Sequence, residues 1–279
     1  MTRLSILLLT PLLIIAACLT FVGCGGGASL EPAFVLKGDG AAGGNGGEND
    51  KEFVFQDPGN IVGTIMFEGS APSLSPRVPA GASVKDKEYC SVNAVPNESL
   101  VVGGNGGLAN VFIYLDKAPD WYKHTPPEEA MTIDQKGCKF TPHAFLSQVG
   151  QTVNIINSDG CAHNTNIGFV SNRKFNGTIN ANDATGVPIV PEKAEKIPVK
   201  TVCDFHNWME CFVFVVDHPF AAVTDENGKF EIKGLQPGKY TFRVWHETGD
   251  LLERKLEVTI ESNQDTPVDL KYSLGNFKL

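Results

Sequence analysis

The chain contains many short runs of β-type residues separated by turns, and this pattern limits the fold more than any other feature. Apart from the first 23 residues, no stretch carries a long apolar repeat with the 3.6-residue period of a helix. The 29 glycines and 17 prolines favour turns over long helices. The pattern predicts an all-β chain built as a β-sandwich. The predicted strands are Ile61–Phe67, Val111–Leu115, Val153–Asn157, Val199–Cys203 and Phe212–Val216.

The final part of the chain carries its own pattern of strands and turns. Two turn sequences, Asp225–Gly228 and Leu235–Gly238, lie within it, and apolar and polar residues alternate around them. Two further strands are predicted at Leu252–Ile260 and Val268–Tyr272. A segment of about sixty residues is close to the lower size limit for independent stability. We therefore expect a small β module that packs on the preceding part of the chain or completes it.

The N-terminus predicts export from the cytoplasm. Arg3 precedes a long apolar run, and we assign residues 1–23 to a secretory signal peptide, with an uncleaved membrane helix as the alternative. Cys24 is the expected site of lipid attachment, as in a bacterial lipoprotein, and Cys18 is the rival site. Residues 24–55 are rich in glycine and predict a flexible tether. We expect an extracytoplasmic, membrane-anchored lipoprotein, in the periplasm or at the cell surface, where disulfides persist.

Charge and motifs argue against two broad classes of function. The net charge of −9 argues against a nucleic-acid partner, which would require a basic face. The Gly-Gly-Asn-Gly-Gly sequences at 43–47 and 103–107 do not continue into the lysine and hydroxyl residues of a phosphate-binding loop. The chain contains neither a Gly-x-Ser-x-Gly nor a His-Glu-x-x-His motif. We therefore expect that the protein is not an enzyme.

Three soft metal ligands lie close together in the sequence Cys-Asp-Phe-His-Asn-Trp-Met at 203–209. The thiolate, imidazole and thioether of Cys203, His206 and Met209 suit copper better than calcium or magnesium. Two histidines and a cysteine with a weak axial methionine form the blue-copper arrangement, so one more histidine is required. His163 is the candidate, because it follows a predicted apolar strand whose end can meet the later loop. The pattern predicts one copper ion held by these four residues.

This part of the chain resembles the copper-binding region of cupredoxins, the family of plastocyanin and amicyanin. Residues 203–209 resemble the copper loop with its short amicyanin spacing, and residues 153–164 resemble the strand and loop that carry the first histidine. The resemblance covers roughly residues 135–216. It implies a Greek-key β-sandwich with one type 1 copper ion. It also implies that Asn164 donates a hydrogen bond toward the cysteine sulfur, as a residue just outside the ligand set.

The resemblance also implies where electrons leave the site. In the family the loop histidine is usually the ligand nearest solvent, so His206 is the implied exit for the electron. Trp208 lies between two ligands of the same loop and is a candidate residue for docking of a redox partner protein.

The remaining cysteines predict disulfides. Of the seven cysteines, four remain once the signal, the lipid site and the metal ligand are set aside, and four cysteines allow three pairings. Compared with the cupredoxin pattern, Cys161 and Cys211 are additional cysteines that flank the implied copper site. The resemblance therefore favours a Cys161–Cys211 disulfide, and Cys90–Cys138 is then the other pair.

The C-terminal module resembles the carboxypeptidase regulatory-like domain, a transthyretin-like β-sandwich. Residues 224–244 carry this resemblance, and Gly59–Ile65 looks like the opening strand of such a module. We expect a cupredoxin-like copper domain with an N-terminal extension at 56–219 and a carboxypeptidase regulatory-like domain at 220–279. In the alternative arrangement, the cupredoxin-like segment is inserted within the second module, or the two share a sheet. The whole is similar to secreted cupredoxin-like proteins of the methylamine-utilisation type.

Together these features predict a lipid-anchored, extracytoplasmic type 1 copper protein that carries out one-electron transfer with redox partner proteins. The alternative is a binding module at the cell surface, or a copper-handling protein without a redox role.

Overall fold

Almost every regular element of the protein is a β-strand. The computed structural model describes residues 56–279, where sixteen strands are accompanied by one short α-helix and one 3₁₀-helix. The prediction of an all-β chain is confirmed. The expected signal peptide at 1–23, the lipid site at Cys24 or Cys18 and the tether at 24–55 lie outside the described residues. Within the described part of the chain, no helix has the length and apolar character needed to cross a membrane.

The elements follow one another along the chain as strands with a single early helix. The first part contains β1 (Gly59–Glu68), α1 (Lys87–Cys90), β2 (Phe112–Leu115), β3 (Met131–Gln135), β4 (Phe140–Thr141), β5 (Ala144–Gln148), β6 (Val153–Asn157), β7 (His163–Ile167) and β8 (Phe175–Ile179). The second part contains β9 (Asp183–Ile189), β10 (Val199–Val202), β11 (Glu210–Val216), β12 (Ala221–Val223), β13 (Lys229–Leu235), β14 (Gly238–His246), β15 (Asp250–Ile260), β16 (Asp265–Ser273) and the 3₁₀-helix Leu274–Asn276.

The strands form four sheets around three apolar cores. The sheets β13-β1-β16 and β12-β2-β14-β15 enclose the first core. The sheets β5-β11-β10-β7-β8 and β4-β3-β6-β9 enclose the second core. The third core joins the two pairs of sheets, because side chains of β2, β12 and β14 pack against those of β5 and β11. The two inner sheets are therefore covered on both faces.

Strand β11 has an uninterrupted run of apolar residues because its sheet is covered on both faces. Val213 and Val215 face the second core, whereas Phe212 and Phe214 face the third. Strand β2 alternates in the same way between the first and third cores. Because successive side chains of a strand point to opposite faces, a strand buried on both sides is apolar throughout.

The strand pairing groups the N-terminal strands with the C-terminal ones. Strand β1 lies between β13 and β16, and β2 lies between β12 and β14. The expected boundary between 56–219 and 220–279 therefore does not coincide with the sheets, because it separates β1 and β2 from the strands with which they pair. Residues 131–216 form the second pair of sheets by themselves.

The cysteines of the described residues form one disulfide and leave three free thiols. Cys90 and Cys138 are joined, as expected. The expected Cys161–Cys211 disulfide is wrong, because both thiols are free and have different neighbours. Cys211 lies within β11 opposite Thr201 of β10, whereas Cys161 lies in the loop before β7, beside the Cys90–Cys138 pair.

Replacing Ile65 of β1 with alanine tests whether β1 belongs to the first core. Its side chain is fully buried there, so we expect truncation to lower the free energy of unfolding by about 2–5 kcal/mol. Chemical denaturation measures the change. The control Glu68→Ala, at the exposed end of the same strand, should change stability by less than about 0.5 kcal/mol. An Ile65→Ala protein as stable as the control would contradict the pairing of β1 with the C-terminal strands.

A thiol count tests the cysteine pairing. A fragment of residues 56–279, exported into an oxidising compartment, contains five cysteines. With the single disulfide it should show three thiols per chain when unfolded without reductant. A colorimetric thiol assay gives the number, and the fully reduced fragment is the control. One thiol per chain would mean that a second disulfide forms after all.

Candidate metal centre

The loop between β10 and β11 brings Cys203, His206 and Met209 together. The two strands are antiparallel neighbours, and Val202 lies opposite Glu210 at the base of the loop. The backbone N–H of Cys203 donates to the carbonyl of Met209 at 3.2 Å, and the N–H of Met209 donates to the carbonyl of His206 at 2.9 Å. All three side chains are buried. The loop therefore presents its soft donor atoms to the protein interior.

His163 reaches the same place from the neighbouring strand. It is the first residue of β7, which pairs with β10 on one side and β8 on the other. The loop before it is held by Asn157, whose side-chain amide donates to the carbonyl oxygens of Cys161 at 2.9 Å and Asn180 at 2.8 Å. The buried rings of His163 and His206 have centroids 4.7 Å apart.

The two imidazoles face each other through their Nδ1 atoms, which are 3.0 Å apart. The Nε2 atom of His163 lies 2.8 Å from Oδ2 of Asp159, and Nε2 of His206 lies 2.9 Å from Oδ2 of Asp86. A neutral imidazole carries one proton, and a carboxylate fixes that proton on the nitrogen that faces it. The two Nδ1 atoms therefore face the same small space, where they are close enough to share a hydrogen bond or to bind one metal ion.

The sulfur of Cys203 borders the same space. It lies 3.7 Å from Nδ1 of His206 and accepts the backbone N–H of Asn164 at 3.3 Å. Burial raises the pKa of this thiol, but hydrogen bonds with His163, His206 and the Asn164 N–H outweigh burial and lower the pKa to about 6. These contacts favour the ionised sulfur, which is the form that binds metals.

Asn164 fastens the ligand loop to β7. The expected hydrogen bond to the Cys203 sulfur comes from its backbone N–H, while its side chain makes other bonds. The amide oxygen accepts the backbone N–H of Asp204 at 3.1 Å, and the amide nitrogen donates to Oδ1 of Asn176 at 2.6 Å. Because Asn164 follows His163 directly, these bonds fix the sulfur relative to the imidazole.

Asp159 contacts the His163 ring at Nε2, whereas Nδ1 of the ring faces His206. Its carboxylate accepts the backbone N–H of Gly137 at 2.6 Å and of Cys138 at 2.7 Å, as well as the imidazole. Burial raises the pKa of Asp159, but the bonds from His163, Cys138 and Gly137 outweigh burial and lower it. Burial lowers the pKa of His163. The contacts of His163 with Asp159 and Cys203 outweigh burial, so the pKa of His163 is raised overall. An ionised carboxylate therefore orients this ligand.

A segment before β2, residues 76–95, covers the ligand loop, and we call it the strap. Val78 and Val95 form a β-bridge near its two ends. The Cys90–Cys138 disulfide ties the strap to the loop before β4. Asp86, four residues before Cys90, carries the carboxylate that contacts His206.

The strap changes the expected surroundings of His206 and Trp208. The His206 ring is 0% exposed, since Asp86 covers its outer nitrogen, so the premise that this ring lies nearest solvent is wrong. Trp208 is partly buried and donates its indole N–H to the carbonyl of Cys138 at 3.2 Å. The exposed aromatic side chain of the loop is Phe205, at 37%.

The side chains gathered here fit a copper ion. Two imidazole nitrogens, one thiolate and one thioether are the donors of a trigonal copper site with a weak axial sulfur. His163, His206 and Cys203 contact one another directly. Met209 is buried in the same core as Cys203 and is fixed by the loop. The two carboxylates, Asp86 and Asp159, face the outer nitrogens of the rings.

Asp86 and Asp159 are not among the site residues predicted from the sequence. Asp159 lies four residues before His163, and a carboxylate this close to a candidate ligand is a signal that could have found it. Asp86 is separated from His206 by 120 residues, and no local pattern marks it. Its role depends on the path of the strap, which the sequence does not predict.

Comparison with known proteins gives similarity only to solved structures. No protein-family model and no curated protein matches the chain. A Cu-containing nitrite reductase from Thermus scotoductus SA-01 is 18% identical, with a TM-score of 0.29, over 35% of this chain and 24% of the reductase. The chain thus spans about a quarter of the reductase's length.

An amicyanin and a purple cupredoxin are similar over about a third of this chain. A Cu(I) form of an amicyanin mutant is 20% identical over 31% of this chain and 81% of its own, with a TM-score of 0.28. A purple cupredoxin from Nitrosopumilus maritimus is 25% identical over 30% of this chain and 98% of its own, with a TM-score of 0.26. TM-scores of this size do not establish a shared fold. The assignment of a function therefore depends on the geometry of the ligand residues.

Proposed function

We propose that the protein is a type 1 copper protein that carries out one-electron transfer. One observation carries the proposal: the Nδ1 atoms of His163 and His206 face each other at 3.0 Å, with the sulfur of Cys203 beside them. Two imidazole nitrogens and a sulfur that converge on one buried space can bind a single metal ion, and these donors are those that copper prefers. When bound, copper supplies the Cu(II)/Cu(I) couple.

Each residue of the cluster has a distinct task. Cys203 would provide the negatively charged sulfur and His163 and His206 the two imidazole nitrogens that hold the copper, while the thioether of Met209 would be the weaker donor that tunes the potential. The N–H of Asn164 moderates the charge on the sulfur. Because short loops and strand pairing fix all of these groups, little has to move when an electron arrives or leaves.

The burial of the ligands favours electron transfer over catalysis. The side chains of His163, Cys203, His206 and Met209 are at most 1% exposed. A catalytic metal site keeps one position open to substrate, whereas these ligands are enclosed by the strap and the second core. An electron can cross a few layers of packed atoms that a substrate cannot enter.

We further propose that the copper site belongs to a cupredoxin-like domain at 131–216 and that the protein works outside the cytoplasm. The resemblance of residues 135–216 to cupredoxins and the signal-like N-terminus support this. The Cys90–Cys138 disulfide fits an oxidising compartment. A lipid at Cys24 would attach the protein to the membrane, where redox proteins are its partners. The remaining strands would form the carboxypeptidase regulatory-like module that supports this domain.

The cysteine ligand is tested by spectroscopy. Cu(II) added to the wild-type protein should produce an intense visible absorption toward the red end, from charge transfer between the Cys203 sulfur and the metal. Cys203→Ser should lose this band because the thiolate is gone. The control Cys211→Ala removes a buried thiol outside the ligand set and should keep it. Visible and paramagnetic-resonance spectra at equal copper loading measure the difference.

A colourless wild-type protein that takes up no Cu(II) would contradict the proposal. It would favour the alternative of a binding module at the cell surface.

The lipid anchor is tested by fractionation of cells that express the full chain. Cys24→Ala should move the protein from the membrane fraction to the soluble extracytoplasmic fraction, because the acceptor of the lipid is missing. The matched variant Cys18→Ala should remain in the membrane fraction. The opposite pattern would place the lipid on Cys18, and retention of both variants in the membrane would contradict a lipid anchor.

A further inference from the structure

We propose that Asp86 of the strap is a positioning residue that holds His206 in its metal-binding tautomer and lowers the reduction potential of the site. This inference rests on the proposed function, since it concerns the same copper ion. The observation that supports this proposal is the contact of 2.9 Å between Oδ2 of Asp86 and Nε2 of His206.

The backbone of Asp86 is arranged around this contact. Asp86 has φ 52° and ψ 42°, in the left-handed region that non-glycine residues rarely adopt. It also precedes helix α1 at the position where an aspartate side chain normally accepts the N–H groups of the first turn. Here the side chain makes no such bond and instead reaches His206. Asp86 therefore has neither the usual backbone conformation of a non-glycine residue nor the usual capping hydrogen bond, and its carboxylate contacts His206 instead.

Independent contacts hold the strap in the position that this interaction needs. The disulfide at Cys90 fixes one side of Asp86. The neighbouring Tyr89 ring packs on Gly160 of the His163 loop, where a Cβ atom would lie only 2.3 Å from the ring. At the start of the strap, Arg77 forms an ion pair with Glu210 of β11. The carboxylate is thus placed by the surrounding structure and does not depend on His206 alone.

Charge decides the direction of the effect on the potential. The carboxylates of Asp86 and Asp159 and the thiolate of Cys203 all lie on or next to the ligands. Negative charge stabilises Cu(II) more than Cu(I), and a carboxylate bonded to a ligand imidazole raises the basicity of that ligand. Both effects lower the potential. The Asp86 side chain is 30% exposed, so solvent screens part of its charge.

The test compares two substitutions of Asp86 in the copper-loaded full chain. Asp86→Asn keeps an oxygen that can accept the His206 N–H but removes the charge. At a fixed applied potential its Cu(I)/Cu(II) ratio should rise by up to about tenfold, which is 59 mV for one electron, with an unchanged paramagnetic-resonance spectrum. Asp86→Ala also removes the acceptor, so its spectrum should change as well. Redox titration followed by visible absorption measures the potential.

The matched control is Glu88→Gln, which removes a charge from the same strap at an exposed residue. Its potential should shift by clearly less than that of Asp86→Asn. If the two shifts are equal, or if Asp86→Asn leaves the potential unchanged, the inference is overturned while a blue wild-type protein still supports the proposed function. A wild-type protein that binds no copper overturns the proposed function itself.

If a variant loses copper at working concentrations, its copper affinity is measured instead of its reduction potential. Competition with chelators gives the Kd of each variant for Cu(I) and for Cu(II) separately. Asp86→Asn should weaken Cu(II) binding more than Cu(I) binding, by the same factor as the change in the redox ratio. Equal weakening of both would show that Asp86 is only a structural support of the strap.

Discussion

This part of the protein depends on one constraint. Two imidazole nitrogens lie 3.0 Å apart, and the other nitrogen of each ring contacts a carboxylate. Two ring nitrogens and the Cys203 sulfur therefore converge on one small space, and a carboxylate contacts the outer nitrogen of each ring. This convergence fits a metal ion, and the soft sulfur donors make copper the expected one.

The layered sheets explain how this convergence is maintained. Strands β7, β10 and β11 belong to an inner sheet, which the second core supports on one face and the third core on the other. The start of β7 and the end of β10 carry His163 and Cys203, and the Asn164 N–H joins them. The strap closes the site from outside. With His206 buried beneath the strap, neither candidate ligand ring is exposed at the surface.

The sequence predicted the elements whose signals are local. The apolar run Val153–Asn157 is strand β6 with the predicted bounds. Cys203 and His206 lie on the loop between β10 and β11, and His163 contacts His206 from β7. That these residues bind copper stays a prediction. Strand β7 was missed because its residues, His-Asn-Thr-Asn-Ile, are mostly polar. They are buried by pairing and hydrogen bonds, which a search for apolar periodicity does not detect.

Features that depend on distant contacts could not be predicted. Asp86 meets His206 across 120 residues, and the free thiols of Cys161 and Cys211 follow from the separate positions of a loop and a central strand.

X-ray absorption at the copper edge of the loaded protein tests the coordination itself. We predict one short copper–sulfur contact and two imidazole nitrogens. A shell of oxygen and nitrogen atoms without sulfur would contradict the assignment of the metal to Cys203, His163 and His206.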